Sequence, residues 1–502
     1  MRFSRTLIPT TREAPKSISD PAVARLTRAG YLIPDQEKKA FSLLPMGVLL
    51  CERVISAAAG LAREAGFHVV GFEDLAGDSL EISQKLVKSY RQLPLSFFGG
   101  DLRRWNASGF AADRDSAVAV RDDFLGIASE IARMAGLTLF EGETVDGARK
   151  YVSLPCDKGS WHGRSGFVCS SCGWCGDDAS PVSAPRPFLK EEAPLGEVET
   201  PGADTIAELC RQLGVGPSGT LKTMFYAAES AGNKEIVAVL ARGDHQINDR
   251  KLSHVLGGGV VRFADPLEIR EAVGDLAGYL GPVGLPPAIR VFADRHVEGC
   301  CNLAAGANRP GFHLLNACWG RDFKTDNVED IVSLQENFPC PLCGVEIKPS
   351  HLARVSIAGV EPGSSNLSFQ GDGGSTRAAF RWDGSLCIMP LVLAIAGGER
   401  IPAKFTPFDV NVVIASMQND DAVALGHSMA EKLEGKGLRV LIDDRDERAG
   451  VKFSDAELLC VPVTIVAGRE AADGIVEVWQ PDGSRGELPA DAAVEQTARW
   501  VR

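Results

Sequence analysis

Apolar residues in the first quarter of the chain recur at helical spacing. From Leu49 to Ala65 they fall three and four positions apart, and Gly66 follows as a helix stop. A second apolar stripe, closed by Gly136, is formed by Val118, Phe124, Ile127, Ile131 and Met134. We therefore predict that residues 1–137 consist of helices joined by short loops.

The pattern changes between Thr200 and Asp330, where short apolar runs alternate with amphipathic segments. This pattern is typical of a compact α/β unit with its own core. The predicted helices are 205–213 and 250–256, and the predicted strands are 221–228, 235–241, 287–293 and 313–317.

A third pattern occupies the rest of the chain. Residues 350–398 contain strand-like pieces around a polar Gly/Ser loop at 363–374, and a regular strand–helix alternation begins at Phe408. That alternation predicts a mixed sheet flanked by helices. Its predicted strands are 410–414, 438–442 and 461–466, and its predicted helices are 421–435, 451–459 and 490–501.

Composition restricts the class of protein. The 502 residues, enough for about three domains, are 45% hydrophobic and 24% charged, as expected of a globular protein. The net charge of −13 argues against a protein whose whole surface binds nucleic acid, DNA included, but leaves room for local basic patches. Because no run of about 18 apolar residues occurs and residues 1–12 lack a signal-like apolar core, we expect a cytoplasmic protein with no membrane partner.

Four of the thirteen cysteines form two short pairs, Cys169/Cys172 and Cys340/Cys343, each followed by glycine. Two thiolates at this spacing can wrap one tetrahedral ion, which favours metal knuckles over a disulfide framework. The region 156–187 around the first pair lacks periodicity, so we predict a loop with a knuckle. Free thiols remain an alternative, and Cys175 and His162 are substitutes or bystanders.

The C-terminal stretch VLIDDRDERAGVKFSDAELLCVPVTIVAGRE, residues 440–470, closely resembles the anticodon-binding domain of class II synthetases for Pro, Thr, Gly and His. The resemblance implies that Arg445, Arg448 and Lys452 contact tRNA. Basic residues near a helix N-terminus also form a ready phosphate site. The alternative is a solvated run of surface charge.

Five segments between residues 221 and 323 occur in family order: LKTMFYAA, ARGDHQINDRKL, LGPVGLP, LAAGAN and GFHLLNACWGRDF. They resemble the editing insertion of bacterial prolyl-tRNA synthetases, which hydrolyses alanine wrongly attached to the proline tRNA. The resemblance carries over a set of site positions. They are Lys222, Thr223, Asp244, His245, Asn248, Lys251, Gly281, Pro282, Gly306, Ala307, Asn308 and His313.

Ester hydrolysis suggests specific roles for two of these residues and for one loop. Lys222 would hold the anionic tRNA end, and His313 would orient the aminoacyl group or move a proton. The loop Gly306, Ala307 and Asn308 would present backbone N–H groups to the substrate, because glycine permits close approach. Taken singly, each residue has a structural alternative, such as a solvated lysine or a core histidine.

The N-terminal segments RAGYL, FSLLPMG and SYRQLPLSFF resemble the opening of the same synthetases. The motif 1 dimer strand is missing between Gly66 and Ser89, and the motif 2 frame around Arg103 and Arg104 reads as too short. No charge occurs at the motif 3 position, 386–398. The chain is thus identified as a prolyl-tRNA synthetase paralogue with degenerate activation motifs, and the homodimer of the family is left in doubt.

The expected fold class is α/β (α+β multidomain). Residues 1–195 and 331–405 would form a truncated class II antiparallel-sheet core, 196–330 an inserted α/β editing domain and 406–502 the anticodon-binding domain. Since the family has CxxCG pairs at both junctions of the insertion, the resemblance implies one structural Zn²⁺ held by Cys169, Cys172, Cys340 and Cys343.

The expected function is binding of tRNA, most simply the proline tRNA, and hydrolysis of mischarged aminoacyl-tRNA in trans. ATP is not expected to be used, because cations facing its phosphates are missing from the usual motifs. Two alternatives stay open at this point: a non-catalytic tRNA-binding regulator or partner, and a divergent proline–tRNA ligase.

Overall fold

The computed structural model describes residues 1–501 except 36, 38–39, 72–73, 183–190, 231–232, 275–278 and 399. The helices are α1 Pro21–Arg28, α2 Pro45–Glu64, α3 Leu75–Leu86, α4 Arg114–Met134, α5 Ile206–Leu213, α6 Asp249–Val255, α7 Pro266–Val273, α8 Ile388–Gly397, α9 Asp420–Gly435, α10 Ala449–Leu459 and α11 Ala490–Val501. The strands are β1 Leu32–Asp35, β2 Ala40–Leu43, β3 His68–Val69, β4 Leu95–Gly100, β5 Arg104–Ala111, β6 Phe140–Glu143, β7 Arg149–Pro155, β8 Gly163–Val168, β9 Cys175–Gly176, β10 Gly196–Glu199, β11 Leu221–Ser230, β12 Asn233–Arg242, β13 Val260–Phe263, β14 Arg290–Asp294, β15 Leu303–Gly306, β16 Phe312–Ala317, β17 Val328–Glu329, β18 Lys348–Gln370, β19 Thr376–Cys387, β20 Val410–Ile414, β21 Val440–Asp443, β22 Val463–Ala467, β23 Ile475–Trp479 and β24 Arg485–Pro489.

The chain divides into two compact units. The first contains residues 1–140, 149–164 and 351–502, and the second contains 141–148 and 165–350. The second unit includes the whole predicted insertion 196–330 together with both cysteine pairs. The division into three domains stays a prediction, whereas the α/β multidomain fold class is confirmed by several separate sheets with helices between them.

An antiparallel sheet forms the centre of the first unit, in the strand order β3-β4-β5-β19-β18-β7. Only β3 pairs in parallel here, with β4. Helices α2, α4 and α8 pack on this sheet, and their buried residues form one continuous core with Phe98, Phe124 and Trp382. The three aromatic rings meet at centroid distances of 5.7 to 6.0 Å, which adds edge and tilted ring contacts to the apolar burial.

The prediction that residues 1–137 are helices joined by short loops is wrong, because β1 to β5 lie there. The region around Arg103 and Arg104 forms a hairpin, with β4 paired to β5 from Leu95↔Phe110 to Gly100↔Trp105. That this hairpin is too short to serve as motif 2 stays a prediction. Two glycines add nothing to the hydrophobic pattern, so periodicity does not predict this hairpin. A Cβ on Gly100 would lie 2.2 Å from Arg104 O, so the tight turn requires glycine.

The polar loop predicted at 363–374 is largely strand, since β18 runs to Gln370 and β19 resumes at Thr376. Register shifts between Val360 and Ser368 interrupt the alternation that would have revealed it. The predicted loop 156–187 contains the short strands β8 and β9, which pair through Val168↔Cys175. Its last part, 183–187, lies outside the described residues.

The predicted C-terminal alternation is confirmed. β20 lies between β21 and β22, parallel to both, and β23 and β24 continue the sheet in antiparallel pairing. Helices α9 and α11 bury alanine, valine and leucine against it. The strands are buried on both faces, which explains their continuous apolar runs.

The second unit holds a five-stranded sheet, β13-β11-β12-β14-β17, and a three-stranded sheet, β10-β16-β15. The long hairpin β11–β12 pairs over ten residues, from Leu221↔Arg242 to Ser230↔Asn233. Helix α5 begins at a capping box formed by Thr205 and Glu208 and ends at Gly214 in the left-handed conformation, as its sequence predicts.

Helix α2 is the one helix of the described residues with the length and apolar character of a membrane span. Eight of its residues, including Leu50, Val54 and Ala58, are buried in the core of the first unit. Such burial is typical of the core helix of a globular domain, so its composition is weak evidence for a membrane.

Candidate functional site

A cavity of about 330 Å³ in the second unit is lined by Lys222, Thr223, Gly306 and His313. Lys222 and Thr223 come from the start of β11, Gly306 from the end of β15, and His313 from β16. The pairing of Gly306 with His313 in adjacent strands fixes the last two side by side. Four residues predicted from three separate motifs therefore meet at one cavity.

The Lys222 ammonium donates a hydrogen bond to the backbone carbonyl of His245 at 2.7 Å. Burial lowers the pKa of Lys222, and the nearby carboxylate of Asp244 opposes that shift. The neighbouring Thr223 hydroxyl oxygen is buried and has no hydrogen-bond partner within the described residues. The residues that line the cavity thus include one cation and one residue with an unsatisfied hydroxyl.

His313 is almost fully buried, and its Nδ1 lies 2.6 Å from the Thr200 hydroxyl. This contact leaves the other ring nitrogen to serve a ligand. Burial lowers the pKa of His313, with Asp204 opposing the shift, and so favours the neutral imidazole. The Tyr279 ring lies 6.0 Å from the imidazole, and its pKa is raised by a hydrogen bond to Asp204.

Two backbone segments approach each other closely at the cavity wall. A Cβ on Gly281 would lie 1.6 Å from Gly306 O, and a Cβ on Gly306 would lie 2.3 Å from Leu280 O. Asn308, in the left-handed conformation at φ 53°, accepts a hydrogen bond from Gly281 N at 2.7 Å through Oδ1. Its Nδ2 donates to Val283 O, so Asn308 fastens the two segments together. Ala307 lies half-buried between them, and Pro282 is buried.

The other predicted residues of the insertion have structural partners. Asn248 caps α6 by accepting from the N–H groups of Arg250 and Lys251, and the Lys251 ammonium, 2% exposed, pairs with Asp330 at 2.7 Å. Asp244 pairs with Arg242 at 2.7 Å. None of these three lines the cavity of Lys222 and His313, so their contact with tRNA stays a prediction.

His245 is 3% exposed, and burial lowers its pKa to about 4. Its ring packs edge-on against His296, with centroids 4.6 Å apart, and against Phe338. Only its backbone carbonyl reaches the cavity, through Lys222. The sequence predicted that the His245 side chain contacts substrate or tRNA, and its packing against His296 and Phe338 gives no support to that role.

The predicted tRNA contacts of the C-terminal domain differ in accessibility. Lys452 is fully buried and donates to Ile414 O at 2.7 Å. Arg445 is mostly covered, pairs with Asp443 and Asp455, and lies 3.7 Å over the Phe3 ring. Arg448 is exposed at the N-cap of α10. Of the three, Arg448 is the side chain best placed to meet a phosphate.

The two cysteine pairs converge. Cys169 Sγ lies 3.5 Å from Cys343 Sγ, Cys172 Sγ lies 3.6 Å from Cys340 Sγ, and all four sulfurs lie within 4.8 Å of one another. Four thiolates around Zn²⁺ at bonds of about 2.3 Å would be separated by about 3.8 Å. The donor set therefore fits a closed tetrahedral ion, and Cys175 and His162 are not part of the cluster.

The first unit contains a cleft of about 550 Å³ next to the β4–β5 hairpin. Its lining includes four arginines, Arg103, Arg104, Arg164 and Arg354. The Asp101 carboxylate accepts from the backbone N–H groups of Arg103 and Arg104, which shapes the turn that carries them. Strands β8 and β18 bring Arg164 and Arg354 to the same cleft, so cations converge here from outside the usual motifs. The expectation that the activation motifs are degenerate stays a prediction.

Two family models match parts of this chain. Residues 200–323 match the aminoacyl-tRNA editing domain, and residues 409–499 match the anticodon binding domain. The proline–tRNA ligase of Lysinibacillus sphaericus (strain C3-41) is 28% identical over 592 aligned positions, covering 100% of both chains. The chain is a full-length homologue of proline–tRNA ligases.

Two further relatives show how the similarity is distributed. The proline–tRNA ligase of Thermoanaerobacter sp. (strain X514) is 27% identical over 97% of each chain. That of Moorella thermoacetica is 32% identical over 65% of this chain and 59% of its own length. The alignment of 592 positions exceeds the 502 residues of this chain, so the Lysinibacillus sphaericus relative carries segments that this chain lacks.

Several residues at these sites escaped sequence reasoning. Thr200, Asp204 and Tyr279 surround His313, and Arg164 and Arg354 complete the arginine cleft. Each is an ordinary residue type far along the chain from its partner. No local spacing rule connects them, since the tertiary fold brings them together.

Proposed function

We propose that this protein hydrolyses mischarged aminoacyl-tRNA in trans, with alanine on the proline tRNA as the preferred substrate, and does not activate proline. The observation that carries the proposal is the meeting of Lys222, Thr223, Gly306 and His313 at one cavity. These are a cation, a free hydroxyl, a close backbone approach and a neutral imidazole. Together they are the groups that hydrolysis of an aminoacyl ester requires.

The reaction is an attack by water on the ester carbonyl carbon. A bond forms between the water oxygen and that carbon, the bond to the ribose oxygen breaks, and the proton of the water ends on the released ribose hydroxyl. Lys222 would leave His245 O to pair with the phosphate of the terminal nucleotide. His313, held through Nδ1 by Thr200, would orient the aminoacyl group or the water.

Cavity size favours a small aminoacyl group. About 330 Å³ is at the low end of ligand sites, and the wall is drawn in by the contact of Gly281 with Gly306. One methylene changes binding by about 1–3 kcal/mol, so discrimination between alanine and a larger residue depends on steric exclusion rather than on affinity alone.

The remaining parts support this function. The C-terminal domain, with Arg448 exposed, would select the tRNA in the cytoplasm. Zn²⁺ held by Cys169, Cys172, Cys340 and Cys343 would be structural, because four thiolates leave no open coordination position. The absence of charge at 386–398, where eight of the ten residues of α8 are buried, argues against ATP activation.

The test is a deacylation panel with alanyl-, seryl- and prolyl-charged proline tRNA. We expect hydrolysis of the alanyl ester, and a loss of about 100-fold on Lys222→Ala or His313→Ala. Lys324→Ala and His254→Ala, exposed residues of the same unit, are matched controls that keep the wild-type rate. Tight tRNA binding with no hydrolysis of any ester would instead support a non-catalytic tRNA-binding partner.

A divergent proline–tRNA ligase is the second candidate, because four arginines converge on one cleft large enough for a nucleotide. ATP–pyrophosphate exchange with proline decides between the two. We expect no exchange above a no-enzyme control. Robust exchange that is lost in Arg104→Ala and Arg354→Ala would establish the ligase and refute the part of our proposal that excludes activation.

A further inference from the structure

A second cluster of metal-ligating side chains lies in the same unit as the editing cavity, apart from the four cysteines. His245 follows β12, Asp294 ends β14, and His296 lies in the turn after β14. All three are buried, and one candidate ligand atom from each lies within 4.8 Å of the others. His245 is far in sequence from Asp294 and His296, and the parallel pairing of β12 with β14 brings it close to them.

His245 lacks the partners that a buried imidazole needs. Its Nδ1 is shut off from solvent and has no hydrogen-bond partner within the described residues. Its Nε2 lies 3.7 Å from Asp244 Oδ1, beyond hydrogen-bond distance. A buried polar group left unsatisfied destabilises a fold, and native structures rarely keep one without a water, an ion or a ligand.

The other two residues are oriented as metal ligands commonly are. Asp294, fully buried, accepts at Oδ1 from His296 N at 2.9 Å and His296 Nδ1 at 2.7 Å. Its Oδ2 accepts from Ile331 N at 3.1 Å. Backbone donors thus fix the carboxylate beside the His296 ring. Binding of one ion by both residues would replace the hydrogen bond between Asp294 Oδ1 and His296 Nδ1, so Nδ1 would carry no proton in the metal-bound form. The His245 ring stands perpendicular to the His296 ring, 4.6 Å between centroids.

We propose that His245, Asp294 and His296 bind a divalent transition-metal ion of the Zn²⁺ class, at a site separate from the four cysteines. Two imidazoles and one carboxylate are a borderline donor set that suits Zn²⁺ rather than Mg²⁺ or Ca²⁺. Burial of all three residues makes the ion a positioning element rather than a group that touches substrate.

The ion would act on the editing cavity through the backbone. His245 supplies both the imidazole of the cluster and the carbonyl that holds the Lys222 ammonium at 2.7 Å. Fixing the imidazole therefore fixes the resting position of Lys222. This consequence rests on the proposed editing function, whereas binding of the ion does not.

The experiment is a titration of the metal-stripped full-length chain with Co²⁺ alone, followed by absorption spectroscopy. We expect two equivalents to bind. One gives thiolate-to-metal charge-transfer bands from the cysteine cluster, and the other gives ligand-field bands without a sulfur contribution. The double variant Cys169→Ser/Cys172→Ser should lose the first equivalent and keep the second.

Two histidine variants complete the design. His296→Leu and His245→Phe should each lose the sulfur-free equivalent and keep the thiolate one, which also reports that the second unit is folded. Saturation of the wild-type chain at a single, thiolate-bound equivalent would overturn the proposal. So would a sulfur-free equivalent that persists in both histidine variants. Because the readout is metal binding, a negative deacylation panel leaves this result interpretable.

Discussion

Replacing Gly306 by alanine adds a single carbon atom, the Cβ, at the wall of the editing cavity. The added Cβ would lie 2.3 Å from Leu280 O, 2.4 Å from Tyr279 O and 2.5 Å from Leu280 C. All three are backbone atoms, so no side chain can rotate away. Restoring an ordinary separation of about 3.5 Å requires the 279–281 segment to recede by about 1 Å.

Two magnitudes follow from that displacement. Overpacking of this kind costs about 1–3 kcal/mol of stability. A shift of about 1 Å in a segment that positions the substrate costs about 100-fold in rate. Asn308 links the displaced segment to the site through Gly281 N, so the effect on hydrolysis should exceed the effect on stability.

The assay is single-turnover deacylation of alanyl-tRNA, with chemical denaturation of the same samples followed by circular dichroism. Gly196→Ala is the matched control, because a Cβ there meets nothing within 4 Å. It should match the wild type in both measurements. A Gly306→Ala protein with the wild-type rate, whether or not its stability falls, would refute the claim that the Gly306–Leu280 contact shapes the catalytic cavity.

Other predictions concern separate parts of the chain. Arg448→Ala should weaken tRNA binding and reduce the slope of log affinity against log salt by about 1, as filter binding at several salt concentrations would measure. Lys452→Met should leave that slope unchanged and lower the free energy of unfolding by about 1–3 kcal/mol, because Ile414 O loses its buried donor. The burial-lowered pKa of His313 predicts a deacylation rate that is flat near pH 7 and falls as pH drops through that pKa. The unfolded chain would bind this proton at a higher pH, so acid should also destabilise the fold, and His313→Asn should remove the acid limb of the rate profile. Cys343→Ser should lower the zinc content by one ion per chain and expose the region around residue 340 to proteolysis, whereas zinc retained at the wild-type level would contradict the four-thiolate site.

Local signals in the sequence were sufficient for much of the α/β architecture. The capping box at Thr205, the left-handed Gly214 and the buried runs of β20 and β22 are each encoded within a few residues. The β4–β5 hairpin was missed for the opposite reason. Its glycines contribute no periodicity, and the close approach of Gly100 to Arg104 becomes visible only when both strands are placed.

The candidate site also has some features that the sequence predicts and others that only the structure shows. The order of motifs along the chain was enough to select Lys222, Gly306 and His313, because each lies in a recognisable segment. Burial and partners could not be read from the chain. Lys251 and Lys452 are basic residues in matching motifs, yet their ammonium groups are enclosed and satisfied by Asp330 and Ile414 O.

The sequence alone determined that the chain resembles known proteins in its editing and anticodon-binding domains. It also determined which residue types are available for chemistry. Only the tertiary structure decided which of those residues face a cavity. It also brought Arg164 and Arg354 to one cleft, and His245 and Asp294 to one cluster. The physical reason is that helix caps and turns depend on neighbours in sequence, whereas burial, ion pairing and metal-ligand geometry depend on strand pairing between distant segments.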